Sequence, residues 1–170
     1  MSVIEGSVDI DVPVRAAYNQ WTQFESFPRF MDAVERVDKP QATLSHWVTR
    51  FSGVTREFDA KVVEQRPDER VVWRSMHEPH HTGSVVFEPL GDARCRLTYR
   101  LEFVPQGVIE RAGDSLGLVR RHVHDGMRGF KEYIEGQGEE TGGWRGTIVD
   151  GRVAPDGEQA PRPVPHWPTG

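Results

Sequence analysis

The hydrophobic pattern of this chain changes from the period of strands to that of a helix after a long strand-like region, and that change restricts the folds open to it. From Val34 to Val104 the apolar residues alternate with polar ones between short turn sequences, which predicts a series of strands. After the turn PQG the apolar residues recur at spacings of three or four over roughly Val108 to Glu135, which predicts one long amphipathic helix. Because the turns are short, neighbouring strands should pair antiparallel. The pattern therefore predicts an α+β fold built from an antiparallel sheet and a C-terminal helix.

The N-terminal part adds a strand and two short helices to this prediction. Residues Ile4 to Val12 alternate and predict a first strand, which ends at Pro13. Helical spacing then runs from Val14 to Phe24, and a second short helix is predicted to start near Pro28. The sheet is therefore predicted to have seven strands. The other six are Val34 to Asp38, Thr43 to Phe51, Val54 to Gln65, Arg70 to His77, Ser84 to Leu90 and Arg94 to Val104.

Four glycines lie within the predicted long helix: Gly113, Gly117, Gly126 and Gly129. Each costs about 0.5–1 kcal/mol relative to alanine in a helix interior. Two interpretations stay open. Either the helix is locally weak, or a bend or a close approach to the sheet or a ligand requires some of these glycines.

The length of 170 residues suits a single folded domain followed by a tail. We place the domain at residues 1–137 and a largely irregular tail at 138–170, because the composition becomes rich in Gly and Pro there. Within the tail, TIVDGRV predicts a small hairpin around Asp150 and Gly151. Trp144 and Trp167 are candidate anchors of the tail on the domain.

The charge and the cysteine content limit which binding partners and which cellular compartment are expected. The formal net charge is −5 and no stripe of lysine and arginine is present, which argues against nucleic acid as a partner. The one cysteine, Cys95, allows no intramolecular disulfide and suits a reducing compartment. The N-terminus lacks the pattern of a signal peptide, and no apolar run reaches the roughly 18 residues of a membrane span. We expect a cytoplasmic protein without stable membrane insertion; a homodimer stays open.

Three segments of the chain resemble one known superfamily. They are VDIDVPVRAAYNQWTQFESFPRFMDAVERV, FDAKVVEQRPDERVVWRS and GSVVFEPLGDARCRLTYRLEF. They resemble the START-like (SRPBCC) superfamily, in its branch of polyketide cyclases/dehydrases and coenzyme Q-binding proteins, over about Ser2 to Gly138. The resemblance implies the Bet v 1-like helix-grip fold, in which a curved seven-stranded antiparallel sheet, with two short helices after the first strand, holds a long C-terminal helix across a hydrophobic cavity.

A cavity of this kind would bind a small hydrophobic ligand through side chains of the short helices, the inward strand positions and the inner helix face. Packing in the core is the alternative role for each of these side chains. The candidate ligand-binding residues are Phe27, Phe30, Trp47, Phe58, Trp73, His77, Phe87, Tyr99, Phe103, Val119, Val123 and Met127.

The resemblance implies two functions. One is a carrier or chaperone for a polyketide, an isoprenoid quinone or a lipid. The alternative is a polyketide cyclase/dehydratase acting on a poly-β-ketone, which would use a pocket arginine and tyrosine to polarise carbonyls. At the matching positions stand Val34 instead of tyrosine and Ala60 and Val62 instead of arginine, which weakens the cyclase interpretation.

Polar candidates for chemistry are few, and no cofactor is expected. Tyr99, Ser75 and Arg56 share the inward parity of their strands and are the candidate catalytic residues, while His122 is expected at the flank of the long helix. A third hypothesis is an interaction protein whose tail recruits a partner.

The densest group of possible metal ligands is MHEPHHTG, Met76 to Gly83. Its histidine spacing matches no zinc pattern, no thiolate is near, and its composition predicts a hairpin tip, so no metal site is expected. We predict that His80 and His81 meet water and that His77 points toward the cavity mouth. A pH-sensitive rim is a further interpretation, since histidine titrates near neutrality.

Overall fold

Seven antiparallel strands form one continuous sheet in the computed structural model, which describes residues 2–51, 53–77, 80–103 and 113–154. The order across the sheet is the first strand, then the seventh, sixth, fifth, fourth, third and second. These strands are β1 (Ser2–Ile10), β2 (Val34–Gln41), β3 (Leu44–Phe51), β4 (Val54–Arg66), β5 (Arg70–Ser75), β6 (His81–Pro89) and β7 (Cys95–Phe103).

Alternation of buried and exposed residues gives this sheet one face toward the core. On β7, Cys95, Leu97 and Tyr99 are buried, whereas Thr98 and Arg100 are exposed. The register of β4 against β5 shifts between Val62 and Glu64, and the β2–β3 pair is irregular at two points. Such irregularities bend a strand and increase its twist, so they help the sheet to curve around the long helix.

The predicted count of seven strands is too low. Among the described residues there are two further strands in the tail, β8 (Ile148–Val149) and β9 (Arg152–Val153), which makes nine. They form the predicted hairpin around Asp150 and Gly151, and β8 pairs with β4 through Ile148 and Gln65. The pairing of the hairpin with β4 was not predicted, because it joins residues that are far apart in the sequence.

The helices are α1 (Val14–Trp21), a short 3-10 helix (Phe24–Arg29) and α2 (Gly113–Gln137). The first predicted helix was too long, because the chain turns at Thr22 and Gln23, whose backbone N–H groups bond back to Asn19 and Gln20. The second starts at Phe24 and contains Pro28 instead of starting there. The predicted start of the long helix near Val108 lies outside the described residues. No described helix is both long and apolar enough to cross a membrane.

The tail up to Ala154 packs against α1, β4 and the turn between β4 and β5. The Asn19 amide donates to the buried Glu140 carboxylate (3.0 Å), and the backbone N–H of Trp144 donates to the Thr22 hydroxyl (2.8 Å). Arg145 binds Asp68 with two hydrogen bonds of 2.7 and 2.9 Å. Trp144 thus lies against the domain, whereas Trp167 lies outside the described residues, and the domain boundary at 137/138 stays a prediction.

The glycines of α2 differ in their surroundings. Some of them allow a close approach of another segment, and one only weakens the helix. A Cβ on Gly126 would lie 3.2 Å from the Met31 side chain, and a Cβ on Gly129 would overlap the backbone carbonyl of Phe30. At Gly117 no described atom lies within 4 Å. Close approach of the loop after the 3-10 helix therefore accounts for Gly126 and Gly129, while Gly117 only weakens the helix.

Opposite stability changes are expected for two alanine substitutions in α2. Gly117→Ala should raise the free energy of unfolding by about 0.5–1 kcal/mol, because it removes the helix penalty of glycine in open space. Gly129→Ala should lower it by about 1–3 kcal/mol, because the added Cβ pushes against the Phe30 carbonyl. Urea denaturation of both variants measures the two values, and a stabilised Gly129→Ala variant would contradict the close approach.

The buried thiol of Cys95 makes stability depend on alkaline pH. Burial, with help from the carboxylates of Asp9 and Glu135, raises the pKa of Cys95 from 9.0 to about 12. Above pH 9 the unfolded thiol loses its proton while the folded thiol retains it, so the free energy of unfolding should fall as pH rises through this window.

We expect this loss to be steeper in the parent chain than in Cys95→Ala, by up to about 1.4 kcal/mol per pH unit between pH 9 and 12. Urea denaturation at pH 8 and pH 10 compares the two slopes. Equal slopes would mean that the thiol ionises in the folded state as readily as in the unfolded one.

Candidate ligand-binding site

A cavity of about 310 Å³ lies between the concave face of the sheet, the 3-10 helix and α2. Aromatic and aliphatic side chains make most of its wall. Strands β3 and β4 supply Trp47 and Phe58, whose rings are parallel at a centroid distance of 6.3 Å because the two residues face each other in the register. The Trp47 indole N–H donates to the Ser45 hydroxyl at 2.7 Å, which satisfies its one polar group inside the apolar wall.

Trp73 forms another part of the wall because it faces a glycine. In the β5–β6 register Trp73 is paired with Gly83, and a Cβ on Gly83 would overlap the Trp73 indole. The missing side chain lets the indole lie across β6. Gly83, expected from sequence to be a turn glycine, is therefore a strand residue that makes room for the cavity wall.

A cluster of aromatic rings closes the end of the cavity beside α1. Phe27 lies at the centre, with ring centroids 4.9 Å from Trp21, 5.6 Å from Phe24 and 5.3 Å from Trp47. All three contacts are edge-to-face, the arrangement that the ring quadrupoles favour. Interlocked rings of this kind hold the wall rigid, so the cavity keeps its shape.

A polar contact joins Tyr99 of the wall to His124 of α2. The hydroxyl of Tyr99 contacts Nδ1 of His124, and the phenol is 7% exposed. A Cβ on Gly6, which is paired with Tyr99 across β1 and β7, would lie 2.5 Å from this hydroxyl, so glycine leaves space for the pair. Burial raises the pKa of Tyr99, which keeps the phenol neutral and able to donate a hydrogen bond.

His124 was not identified as a site residue from the sequence, although it contacts the candidate residue Tyr99. Its neighbour Val123 has the helical spacing of the inner face, whereas His124 belongs to the flank. The contact with Tyr99 arises only because α2 packs on β1 at Gly6, the residue that is paired with Tyr99 of β7. The signal available in the sequence was Tyr99 itself, because the hydroxyl of an inward-facing tyrosine needs a polar partner.

Most of the predicted ligand-binding side chains line this cavity. That they contact a ligand stays a prediction. They are Phe27, Trp47, Phe58, Trp73, Tyr99, Phe103, Val119, Val123 and Met127.

Phe30, Phe87 and His77 do not line the cavity. Phe30 packs outside it against Phe130 and Tyr133 of α2, with centroid distances of 5.3 and 5.1 Å. Phe87 has the inward parity of β6, but α1 covers that end of the sheet, and its ring lies 5.2 Å from Tyr18.

Two of the three histidines of the hairpin lie elsewhere than predicted, whereas His80 is exposed as predicted. Strand β5 ends at Ser75, so its parity does not extend to His77, whose Nε2 lies 3.4 Å from Asp59. Strand β6 begins earlier than predicted, at His81. His81 therefore shares the inward parity of Gly83 and lines the cavity, together with the exposed His80.

Two of the three candidate catalytic residues reach the cavity. Tyr99 and Arg56 line it, as does His122 from α2, which was expected at the flank. Ser75 is buried but is not part of the wall, because its hydroxyl accepts a hydrogen bond of 2.9 Å from the backbone N–H of His81. Ser75 thus stabilises the start of β6 and is not placed to act on a ligand in the cavity. Val34, Ala60 and Val62 line the cavity as well.

Within the described ranges, no group of three or more His, Cys, Asp or Glu side chains is arranged to hold a metal ion. The cavity wall instead combines an apolar surface with a few hydrogen-bond donors. This arrangement can take up an apolar molecule and orient one or two of its polar atoms.

Comparison with known proteins identifies the family. The family described as polyketide cyclase / dehydrase and lipid transport matches residues 10–130, which is more than half of the chain. The chain belongs to this family. A relative from Streptomyces lincolnensis, named as an uncharacterized 17.2 kDa protein in the melC2-rnhH intergenic region, is 47% identical over 150 residues. The alignment covers 88% of this chain and 100% of that relative.

Solved structures confirm the helix-grip fold of the START-like superfamily. The Zhui aromatase/cyclase from Streptomyces sp. R1128 superposes with a TM-score of 0.68 at 14% identity, over 79% of this chain and 93% of that one. A START superfamily protein from Mycobacterium smegmatis gives 0.65 at 12% identity, over 78% of this chain and 98% of that one. Similarity at such identities shows the fold alone, so the ligand must be argued from the cavity.

Proposed function

We propose that this chain binds a small hydrophobic molecule, of the class of polyketides, isoprenoid quinones or lipids, as a carrier or chaperone. The cavity of about 310 Å³ between the sheet and α2 is the observation that carries the proposal. Transfer of apolar surface from water contributes roughly 25 cal/mol per Å². An aromatic wall held rigid before binding lets most of that free energy appear as affinity.

The side chains at the family's catalytic positions favour binding over chemistry. Val34, Ala60 and Val62 stand where the resemblance implies a tyrosine and an arginine, and all three line the cavity. An apolar side chain there can contact a ligand but cannot donate to a carbonyl. The wall at these positions is therefore suited to holding an intermediate unchanged.

Native mass spectrometry of the purified chain, followed by titration with N-phenyl-1-naphthylamine, tests the proposal. This neutral apolar probe should bind with one site per chain, and it should quench Trp21, Trp47 and Trp73, which line the cavity. A copurified small molecule of several hundred daltons would support a carrier role directly. Failure of the probe to bind the chain stripped of ligand would overturn the proposal.

A cyclase/dehydratase is the second candidate, because Tyr99 lines the cavity and its hydroxyl contacts His124. A neutral phenol there can donate to a carbonyl oxygen that gains negative charge, while an imidazole behind it can accept a proton. If the chain turns over a poly-β-ketone thioester, Tyr99→Phe should lower the rate by about a hundredfold with the fold preserved. Tyr133→Phe, outside the cavity, is the control. Equal rates in both variants would exclude the pair from the reaction.

We also propose that the chain acts in the cytoplasm, without a cofactor and without nucleic acid as a partner. The free thiol of Cys95 and the net charge of −5 support it. Sedimentation of the purified chain decides between a monomer and a homodimer.

A further inference from the structure

The charged side chains that the structure describes along the cavity carry only one sign. Of the described side chains that line it, none is an aspartate or glutamate, although the chain has 26 acidic and 21 basic residues. Its ionisable side chains are basic, apart from the Tyr99 phenol. The guanidinium of Arg100 is not available to a ligand in the cavity, because Glu5 and Glu102 bind it on the outer face at 2.9 and 2.6 Å. The other basic side chains at the cavity are Arg56 and three histidines, His80, His81 and His122.

Strand β4 separates its charges between its two faces. Glu57 and Asp59 alternate with the cavity-lining Arg56 and Phe58, so both carboxylates lie on the outer face. There His46 lies between them, 3.7 Å from Glu57 and 2.7 Å from Asp59. The acidic residues nearest in sequence are therefore occupied elsewhere, and the alternation of the strand keeps them away from Arg56.

Arg56 is half-buried at the cavity wall, and its guanidinium forms no ion pair with any described residue. Several other arginines of the sheet do form ion pairs; Arg96, for example, binds Asp9 at 2.7 Å. Arg74 also has no ion pair among the described residues, but it lies on the exposed face and not at the cavity. An unpaired cation beside an apolar wall is unfavourable by itself, and a carboxylate-like anion would compensate it with charge-assisted hydrogen bonds. The planar guanidinium is the cation best suited to bind such an anion with two hydrogen bonds.

We propose that the ligand is an amphipathic anion. Its apolar body fills the aromatic part of the cavity, and its acidic group, a carboxylate or another singly charged oxyanion, binds Arg56. His81 lies in the same wall, with its ring edge-to-face against Phe58 at a centroid distance of 4.8 Å. This inference rests on the proposed binding function and specifies its ligand class.

Two fluorescent probes that share one scaffold test the charge requirement. 1-Anilinonaphthalene-8-sulfonate carries a single negative charge, and N-phenyl-1-naphthylamine lacks the sulfonate but is otherwise alike. The anionic probe should bind at least about tenfold more tightly, which corresponds to about 1.4 kcal/mol. Arg56→Met should bring that ratio close to one, while Arg56→Lys should retain part of it.

Arg74→Met is the matched control, because Arg74 is exposed on the neighbouring strand β5 and does not line the cavity. It changes the net charge equally and should leave the ratio unchanged. Binding of the neutral probe with no preference for the anionic one overturns the inference but not the binding function. A preference that survives Arg56→Met also overturns it. Binding of neither probe overturns both.

Discussion

Replacing Arg145 with alanine is expected to lower the free energy of unfolding by about 3 kcal/mol. The guanidinium is held on three sides. It donates two hydrogen bonds to Asp68 at 2.7 and 2.9 Å and one to the Asn19 side chain at 2.7 Å, and it lies 5.4 Å from the centroid of the Tyr18 ring. One residue of the tail therefore joins α1 to the turn between β4 and β5.

The expected effect is large because the site is mostly closed to water. The Arg145 side chain is 14% exposed and Asp68 is 33% exposed. Removal of the arginine leaves a partly buried carboxylate without its partner, which costs more than the pair contributes. A surface ion pair between exposed side chains would contribute only about 0–1 kcal/mol.

Urea denaturation of Arg145→Ala measures this loss, with Arg152→Ala as the matched control from the same tail. Arg152 is exposed on β9, and its removal should change stability by less than about 0.5 kcal/mol. A double-mutant cycle with Asp68→Ala isolates the coupling between the two residues. A loss no larger than that of the control would mean that the tail contributes nothing to the stability of the domain.

Replacing Val85 with phenylalanine is expected to reduce the affinity for N-phenyl-1-naphthylamine more than tenfold. Val85 is 1% exposed and lines the cavity, so the added ring would occupy space that a ligand needs. The fold should survive, because the ring enters an empty volume, whereas the same change in a filled core costs about 1–3 kcal/mol.

The neighbouring residue supplies the control. Val86 is on the outer face of the same strand and is 45% exposed, so Val86→Phe makes the same chemical change without touching the cavity. Fluorescence titration should show unchanged affinity for this variant, and circular dichroism should show the same fold for both. If Val85→Phe still binds the probe as tightly as the parent chain, the probe occupies another surface.

The sequence determined the elements of the fold because their periods are local. The alternation of Cys95, Leu97 and Tyr99 predicts a strand with one buried face, and all three are buried on β7. The spacing of Met127, Phe130 and Ile134 predicts the inner face of a helix, and all three are buried. A period depends on side chains a few residues apart, so no tertiary contact is needed to recognise it.

Only the tertiary structure decided which inward residues line the cavity. Val85 and Phe87 share one face of β6, yet Val85 lines the cavity while α1 covers Phe87. Parity gives the face of a strand, but the position of α1 along the sheet decides whether that face is covered. The contact between Tyr99 and His124, 25 residues apart, depends on the same packing.

The binding of Arg145 to Asp68, 77 residues apart, was equally hidden, because no sequence pattern links an arginine in a glycine-rich tail to a turn. The sequence thus determined strands, helices and an apolar wall of known composition. The shape of the cavity, the sign of its charges and the attachment of the tail arose from contacts between segments far apart in the chain, which local periodicity does not encode.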